Sequence, residues 1–196
     1  MEKTFRVGES VKFTIREPSS ADIDKSFEFF QGLDESDKAY LRVDVTDRDI
    51  VSQRFNGNSS QTVKRLIALV DDKIVADGAI ELRSHGWEKH IAELRLIVDS
   101  SSKGKGIGGK MAEELYMLAS QEKVEEIIVK VMSPHKDAIA IFSKIGFKED
   151  VVIKNYVKDL NGQKQDLIIM RCDLEGLWKD MEDYYHDLDF AIEEMH

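Results

Sequence analysis

The chain has 196 residues, of which 42% are hydrophobic and 34% are charged, and its formal net charge is −10. A chain of this length buries about 70% of its unfolded surface, which is enough for one domain with its own core. The single cysteine, Cys172, excludes an internal disulfide and a thiolate metal cluster, so we expect a cytoplasmic protein without a bound metal. The acidic balance argues against a nucleic-acid partner. No apolar run approaches the roughly 20 residues of a membrane span, and residues 1–6 lack the apolar stretch of a signal peptide, so no membrane partner is expected.

Strands are indicated by alternating or aliphatic runs, and helices by apolar residues spaced three and four apart. In chain order the predicted elements are a strand at 12–16, a helix between 19 and 32, helical stretches at 34–41 and 47–55, a hairpin of strands 63–70 and 73–82, a strand at 91–98, a helix at 106–121, a strand at 124–131, a helix at 133–145, a hairpin of strands 147–157 and 164–172, and a helix at 174–195. Strands and helices alternate in the middle, and hairpins flank them. This order predicts an α/β (α+β) fold with a mixed sheet and helices on its faces.

Turn signals separate several of these elements. Asp71-Asp72 and Asn161-Gly162 predict the turns of the two hairpins. Ser133 and Pro134 predict an N-cap and a first-turn proline for the helix at 133–145.

The strongest chemical signal is a glycine-rich turn between a predicted strand and a predicted helix. It reads Lys103-Gly104-Lys105-Gly106-Ile107-Gly108-Gly109-Lys110. Glycines let backbone amides approach an anion closely, and a helix N-terminus adds free N–H donors and a favourable dipole. The three lysines add positive charge. The turn therefore predicts a phosphate-binding site.

Two nucleotide-binding patterns match this turn only in part. A dinucleotide-binding turn needs an acidic strand end about 20 residues further along, and none follows in that context. A P-loop needs a hydroxyl residue after Lys110 to bind Mg²⁺, whereas Met111 follows it. ATP binding is therefore the least favoured function for this chain.

Residues 103–108 resemble the phosphate motif of the GNAT superfamily of acetyl-CoA-dependent N-acyltransferases, with lysine in place of the usual first glutamine or arginine. Downstream, residues 138–147 end in Gly146-Phe147 and resemble the family's helix that precedes a Gly-Phe pair. The two motifs have the family's order and spacing. The resemblance covers about residues 11–172, and its N-terminal part is loosely similar to the GNAT domain of bacterial protein-lysine acetyltransferases.

The resemblance implies a single GNAT domain over residues 1–172, with a mixed, mainly antiparallel sheet and helices on both faces. It also implies acetyl-CoA as cosubstrate. In this family the strand before the glycine turn splays from its neighbour, and its backbone binds the pantetheine arm. The cofactor-binding residues implied here are Ile97, Val98, Lys103, Gly104, Lys105, Gly106, Ile107, Gly108 and Phe142. The implied reaction is transfer of an acetyl group to a primary amine, on a small molecule or a protein lysine, by direct attack.

The catalytic candidates are two carboxylates and a histidine. A free lysine amine has a pKa of about 10.4, so a carboxylate that removes its proton assists the attack. The family often places a glutamate on the strand before the turn, which implies Glu93 as the base, and Glu81 is the second candidate. The alternative is that either residue faces solvent on its strand, because strands alternate faces.

One residue departs from the family pattern. Many members have tyrosine at the position of Phe142, and its hydroxyl can protonate the departing thiolate, which phenylalanine cannot do. The asparagine common seven residues earlier is His135 here. His135 either takes over a polar or acidic role or is a partly exposed residue near the start of a helix capped by Ser133.

The C-terminal segment, residues 173–196, contains nine acidic residues and one basic residue and predicts an amphipathic helix. Its apolar stripe can pack on its own domain or on a second subunit as a homodimer, or the helix can lie over the acceptor cleft and attract a cation. This segment and Phe142 motivate the alternative function, a non-catalytic acyl-CoA-binding regulatory module.

Overall fold

A computed structural model describes residues 2–7, 11–38, 41, 45, 47–56, 62–83, 85–159, 162–174 and 176. The strands in these ranges are β1 (Glu2–Val7), β2 (Val11–Arg16), β3 (Val63–Val70), β4 (Lys73–Leu82), β5 (Ile91–Val98), β6 (Glu126–Met132), β7 (Lys148–Lys158) and β8 (Lys164–Asp173). The helices are α1 (Ile23–Gln31), α2 (Glu35–Lys38), α3 (Arg48–Asn56), α4 (Ile107–Gln121) and α5 (Lys136–Lys144). All eight strands form one sheet in the order β1-β2-β3-β4-β5-β6-β8-β7.

Hairpins and helices explain the direction of each strand pair. Neighbours are antiparallel throughout, with one exception at β5 and β6, which are parallel. A parallel pair needs a crossover connection, and α4 provides it. The sheet is therefore mixed and mainly antiparallel, as predicted.

Two apolar clusters cover opposite faces of the sheet. Leu66 and Ala68 of β3 belong to the larger cluster, together with Met111 and Leu115 of α4. Ile67 lies between them in the strand and belongs to the smaller cluster, with side chains from α1 and α3. Consecutive strand residues point to opposite faces, so α4 packs on one face and α1 and α3 pack on the other.

The bounds of β3, β4 and β5 are those predicted. β1 is an additional strand that the residue pattern does not predict. It lies at the edge of the sheet, where the exposed Glu2, Thr4 and Arg6 alternate with the partly buried Lys3 and Phe5. The Phe5 ring stacks on Phe13 at 5.6 Å. An edge strand of this kind carries too few apolar residues to stand out in the sequence.

The start of α5 also differs from the prediction. Ser133 does not cap the helix, because its backbone N–H donates to the Asp166 carbonyl at 2.9 Å and extends the ladder between β6 and β8. The helix begins at Lys136, and His135 occupies the N-cap position without a side-chain capping bond.

The predicted helix at 174–195 lies outside the described residues except for Leu174 and Gly176. Leu174 is buried in the larger cluster, and its N–H donates to the Glu125 carbonyl at 2.9 Å. None of the helices in the described ranges is both long enough and apolar enough to cross a bilayer.

Candidate active site

The sheet opens into a cleft between its two parallel strands. β5 and β6 pair only from Ile91 with Glu126 to Glu93 with Ile128. Beyond that point β5 stays paired with β4 as far as Val98, and β6 stays paired with β8 as far as Met132. Each strand therefore keeps its outer neighbour while the inner edges separate. Backbone groups on such an edge can pair with an extended ligand.

The glycine turn lies at the end of the separated part of β5. Gly104 and Gly106 have φ angles of 76° and 75°, a backbone conformation that other residues rarely adopt. A Cβ built on Gly108 would lie 3.3 Å from Val98 Cγ2, so glycine lets the first turn of α4 pack against the end of β5. The first backbone N–H groups of α4 have no intrahelical acceptor, and the helix dipole favours an anion there.

A short 3-10 turn, Ser100–Ser102, connects β5 to the glycines. Asp99 accepts hydrogen bonds from Ser101 N at 2.8 Å and Ser101 Oγ at 3.2 Å. Burial raises the pKa of Asp99, but hydrogen bonds from Ser102 and Ser101 and the charge of Lys105 outweigh burial, and the net shift is downward. Asp99 is therefore anionic at neutral pH and holds the start of the turn in place.

Three elements meet beside this turn. Lys103 Nζ donates to both carboxylate oxygens of Asp37 in α2, at 2.8 and 3.0 Å. His135 Nε2, at the start of α5, lies 3.9 Å from Asp37 Oδ1. Burial lowers the pKa of His135, the charge of Asp37 opposes this, and the charge of Lys103 adds to it. Asp37 is not among the site residues predicted from the sequence, yet it lies beside two of them.

Glu93 and Glu81 are cross-strand neighbours where the cleft begins. Lys130 Nζ of β6 donates to Glu93 Oε2 at 2.7 Å, and Arg95 Nε lies 3.8 Å from Glu93 Oε1. Arg95 Nη2 donates to Glu81 Oε2 at 2.6 Å. The Glu93 side chain is 7% exposed and that of Glu81 is 38% exposed, so Glu93 is not a solvent-facing residue.

The chain is similar to known proteins. The family model of the acetyltransferase (GNAT) family matches residues 28–147. The chain belongs to the GNAT acetyltransferase family. It is 27% identical over 109 residues to an L-amino acid N-acetyltransferase of Escherichia coli, a match that covers 55% of this chain and 67% of that protein.

Solved structures of GNAT proteins have the same fold. A ribosomal-protein-alanine N-acetyltransferase from Brucella melitensis matches with a TM-score of 0.70 and 22% identity, over 81% of this chain and 98% of that one. The yncA protein from Salmonella typhimurium, solved with its cofactor acetyl-CoA, matches with a TM-score of 0.71 and 19% identity, over 83% of this chain and 94% of that one. The GNAT fold predicted from the sequence is confirmed, and the chain is an acyltransferase.

Phe142 lies in the interior of this GNAT domain. It is 8% exposed, and its ring meets that of Phe147 edge-on at 5.4 Å. Tyr116 of α4 is close by, but its hydroxyl donates to the Ile145 carbonyl at 2.9 Å, and burial raises its pKa far above the ordinary value. The predicted contact of Phe142 with the cofactor stays a prediction.

The structure therefore brings four of the predicted site residues into two groups. Lys103 and His135 meet at Asp37 beside the glycine turn. Glu81 and Glu93 meet at Arg95 where the cleft begins. Within the described ranges, no group of three or more His, Cys, Asp or Glu side chains is arranged to hold a metal ion.

Proposed function

We propose that this chain transfers an acetyl group from acetyl-CoA to the primary amine of an acceptor, by direct attack of the amine on the thioester. The observation that carries the proposal is the place of the glycine turn, directly after the strand edge that separates from β6. An extended amide-containing arm pairs with such an edge, and a diphosphate binds to free amides at a helix N-terminus. The two subsites follow one another in the order in which these groups occur in acetyl-CoA.

The glycine turn offers the cofactor open space as well as hydrogen-bond donors. A Cβ built on Gly104 or Gly109 would meet nothing within 4 Å, so ligand atoms can approach the backbone there. The amides of residues 104–108 would hold the pyrophosphate, because the Lys103 N–H already donates to the Asp99 carbonyl at 3.1 Å. The backbone of Ile97 and Val98 would hold the pantetheine arm. When bound, acetyl-CoA supplies an acyl group activated as a thioester. A backbone N–H of the same edge can donate to the carbonyl oxygen as it gains negative charge.

Glu93 is the base that we propose for the amine. It is the last paired residue of β5 before the strands separate, so its side chain lies at the narrow end of the cleft. Lys130 and Arg95 hold its carboxylate in one orientation, which is what a general base needs. Glu81 is the second candidate, and its larger exposure places it nearer to solvent.

Neither Phe142 nor Tyr116 supplies a proton to the departing thiolate. Phe142 lacks a hydroxyl, and the Tyr116 hydroxyl is engaged with a backbone carbonyl. His135 is the proposed polar donor, because it lies at the N-cap of α5 beside Lys103 and Asp37. Its lowered pKa makes the imidazole neutral at pH 7, so its one N–H can donate a hydrogen bond to the thiolate while water supplies the proton. The alternative is that the thiolate leaves unassisted and takes a proton from water.

Two glycine substitutions that cause equal backbone strain test the cofactor site. Gly104 and Gly162 have φ angles of 76° and 75°, and neither would place a Cβ within 4 Å of another atom. Gly104→Glu and Gly162→Glu therefore carry the same strain, but only Gly104→Glu puts a carboxylate in the proposed pyrophosphate site. A ligand at about 100 times its Kd stabilises a protein by about 2.7 kcal/mol, which corresponds to roughly 5–10 °C in Tm here.

We expect acetyl-CoA to raise the Tm of the wild type and of Gly162→Glu by this amount and to leave Gly104→Glu unchanged. ATP with Mg²⁺ should have no effect on any of the three. Absence of a shift in the wild type would overturn the proposal. Equal shifts in both variants would contradict the assignment of the pyrophosphate to this turn.

The alternative function is a regulatory module that binds acyl-CoA without turnover, and the lack of a hydroxyl at Phe142 favours it. It predicts the same thermal shift but no acetylation of any amine. A panel of small amines, amino acids and lysine peptides, assayed by release of free coenzyme A thiol, separates the two. The named activity of the relative from Escherichia coli supports starting the panel with amino acids.

A further inference from the structure

A buried carboxylate on α2 contacts the candidate site from the sheet face that α1 and α3 cover. Asp37 is 6% exposed, and its helix is short, with the N–H groups of Asp37 and Lys38 both donating to the Asp34 carbonyl at 2.9 Å. Leu33, just before α2, is 4% exposed and belongs to the smaller apolar cluster. Burial of Leu33 thus anchors α2 on this face.

The charge of Asp37 is balanced by Lys103 at the start of the glycine turn. Lys103 Nζ donates to both oxygens of the carboxylate, at 2.8 and 3.0 Å. The Lys103 side chain is 39% exposed and that of Asp37 is 7% exposed, so the lysine reaches inward to the acid. Burial of a carboxylate costs much free energy unless the group is paired and hydrogen-bonded. The buried Asp37 therefore depends on Lys103.

Asp37 lies beside both sides of the open end of the cleft. β5 leads to Lys103, and β6 leads to His135 at the N-cap of α5. The two strands pair with each other only as far as Glu93 of β5. Beyond that point, Lys103 Nζ and His135 Nε2 lie 2.8 and 3.9 Å from oxygens of the same carboxylate. Asp37 therefore lies where two segments meet that the sheet itself leaves apart.

Lys103 is engaged in holding the turn, and another lysine is left to balance the phosphates. The Lys103 backbone N–H donates to the Asp99 carbonyl, and its side chain is bound by Asp37. Lys105, two residues further along, is exposed and forms no ion pair within the described part of the chain. A positive charge therefore remains at the turn for an anionic ligand when Asp37 occupies Lys103.

We propose that Asp37 is a positioning residue for the cofactor, and that its two bonds to Lys103 fix the glycine turn beside the start of α5. The inference rests on the proposed function, because acetyl-CoA is proposed to bind along the turn and the cleft. Charge-assisted hydrogen bonds to both carboxylate oxygens restrict the geometry more than a single neutral bond does. A turn that is already ordered loses less conformational entropy on binding, so the affinity for the cofactor is higher.

The chain contains a matched control for the loss of this ion pair. Glu114 of α4 is 5% exposed, and Lys3 Nζ donates to both of its carboxylate oxygens, at 2.8 and 3.0 Å. The side chains of Lys3 and Glu114 are 33% and 6% exposed, close to the values for Lys103 and Asp37. This pair joins α4 to the edge strand β1. Asp37→Asn and Glu114→Gln thus remove the same kind of interaction, and only the first lies at the proposed cofactor site.

Calorimetry with coenzyme A, which cannot be turned over, measures the effect. The Kd of Asp37→Asn should rise by about 10- to 100-fold, and Glu114→Gln should keep the Kd of the wild type. Both variants should lower the Tm of the free protein by similar amounts, so a difference in Kd does not report lost stability. Because Asp37 acts through Lys103, Asp37→Asn should change the Kd by less than about 3-fold when Lys103→Gln is already present.

Three outcomes would overturn the inference while the proposed function stands, because the wild type binds coenzyme A in each of them. The first is an unchanged or smaller Kd in Asp37→Asn, and a smaller one would mean that Asp37 withholds Lys103 from the phosphates. The second is an equal loss of affinity in Asp37→Asn and Glu114→Gln. The third is an equal effect of Asp37→Asn with and without Lys103→Gln. A wild type that does not bind coenzyme A would refute the proposed function and this inference together.

Discussion

Replacement of Asp22 by asparagine should destabilise the domain more than any other single change of charge at the start of α1. Asp22 is 2% exposed and binds the guanidinium of Arg16 through both oxygens, at 2.7 and 2.8 Å. Its Oδ2 also accepts from Ser19 N at 2.8 Å and from Ser19 Oγ at 2.9 Å. The carboxylate thus joins the end of β2 to the turn that starts α1.

The magnitude follows from these contacts. Asparagine keeps one oxygen acceptor, presents N–H groups to Arg16 in place of the other, and leaves the guanidinium without its counter-charge. Breaking a buried ion pair on one side costs about 3–5 kcal/mol, a large part of the roughly 5–15 kcal/mol of stability of a typical domain. At about 2–4 °C per kcal/mol for a chain of this size, the Tm of Asp22→Asn should fall by roughly 10 °C.

The effect should depend on pH. Hydrogen bonds from Arg16 push the pKa of Asp22 far below its ordinary value, outweighing burial, which raises it. A carboxylate with a depressed folded-state pKa stabilises the protein above the unfolded-state pKa of about 3.9 and loses that contribution as pH falls toward the folded-state value. The difference between wild type and Asp22→Asn should therefore be full from pH 7 to pH 5 and shrink between pH 4 and pH 3.

Urea unfolding followed by circular dichroism at pH 7, 5, 4 and 3 measures this difference. Asp24→Asn is the matched control in the same helix, because its ion pair with Arg48 joins side chains that are 72% and 59% exposed. Such a pair contributes less than about 1 kcal/mol. A cost of Asp22→Asn below about 1 kcal/mol at pH 7, or a cost that does not change down to pH 3, would refute the reasoning.

Three further substitutions test the site and its support. Glu93→Gln should lower kcat/KM by about 10²- to 10⁴-fold while the thermal shift with acetyl-CoA persists, and unchanged turnover would exclude Glu93 as the base. Tyr116→Phe should lower the free energy of unfolding in urea by about 1–3 kcal/mol, because it leaves the Ile145 carbonyl without its donor, and it should leave turnover intact. A loss of turnover at equal stability would instead indicate that Tyr116 is a proton donor. Gly78→Ala would place a Cβ 2.8 Å from Leu115 Cδ1, where β4 packs on α4. It should therefore lower the free energy of unfolding by about 1–3 kcal/mol, and a stabilised protein would contradict this packing.

The strands beside the site could be predicted from the sequence because their signals are local. Val63–Val70 and Lys73–Leu82 are aliphatic runs with a two-residue turn between them, and the observed strands have these bounds. The glycine turn is equally local, because positive φ at Gly104 and Gly106 requires glycine in the sequence itself. The splay of β5 from β6 follows from the resemblance to the GNAT superfamily rather than from the residues.

Other features depend on which neighbour an element meets. Ser133 and Pro134 carry the signature of a helix start, but pairing with β8 keeps Ser133 in the ladder and moves the start of α5 to Lys136. The strand β1 shows the same limit. Its residue pattern is weak, and it forms a strand by pairing with β2. Local propensity loses to pairing in both cases.

The sequence by itself determined the order of elements from β2 to β8, the mixed sheet, the glycine turn before α4 and the departure at Phe142. Only the tertiary structure decided which charges meet. Asp37 contacts Lys103 across 66 positions of sequence, Lys130 reaches Glu93 across 37, and Arg54 shares Asp77 with Arg65. The physical reason is that a side-chain contact depends on strand order and on the face of the sheet, and both arise from burial of the two apolar clusters as a whole.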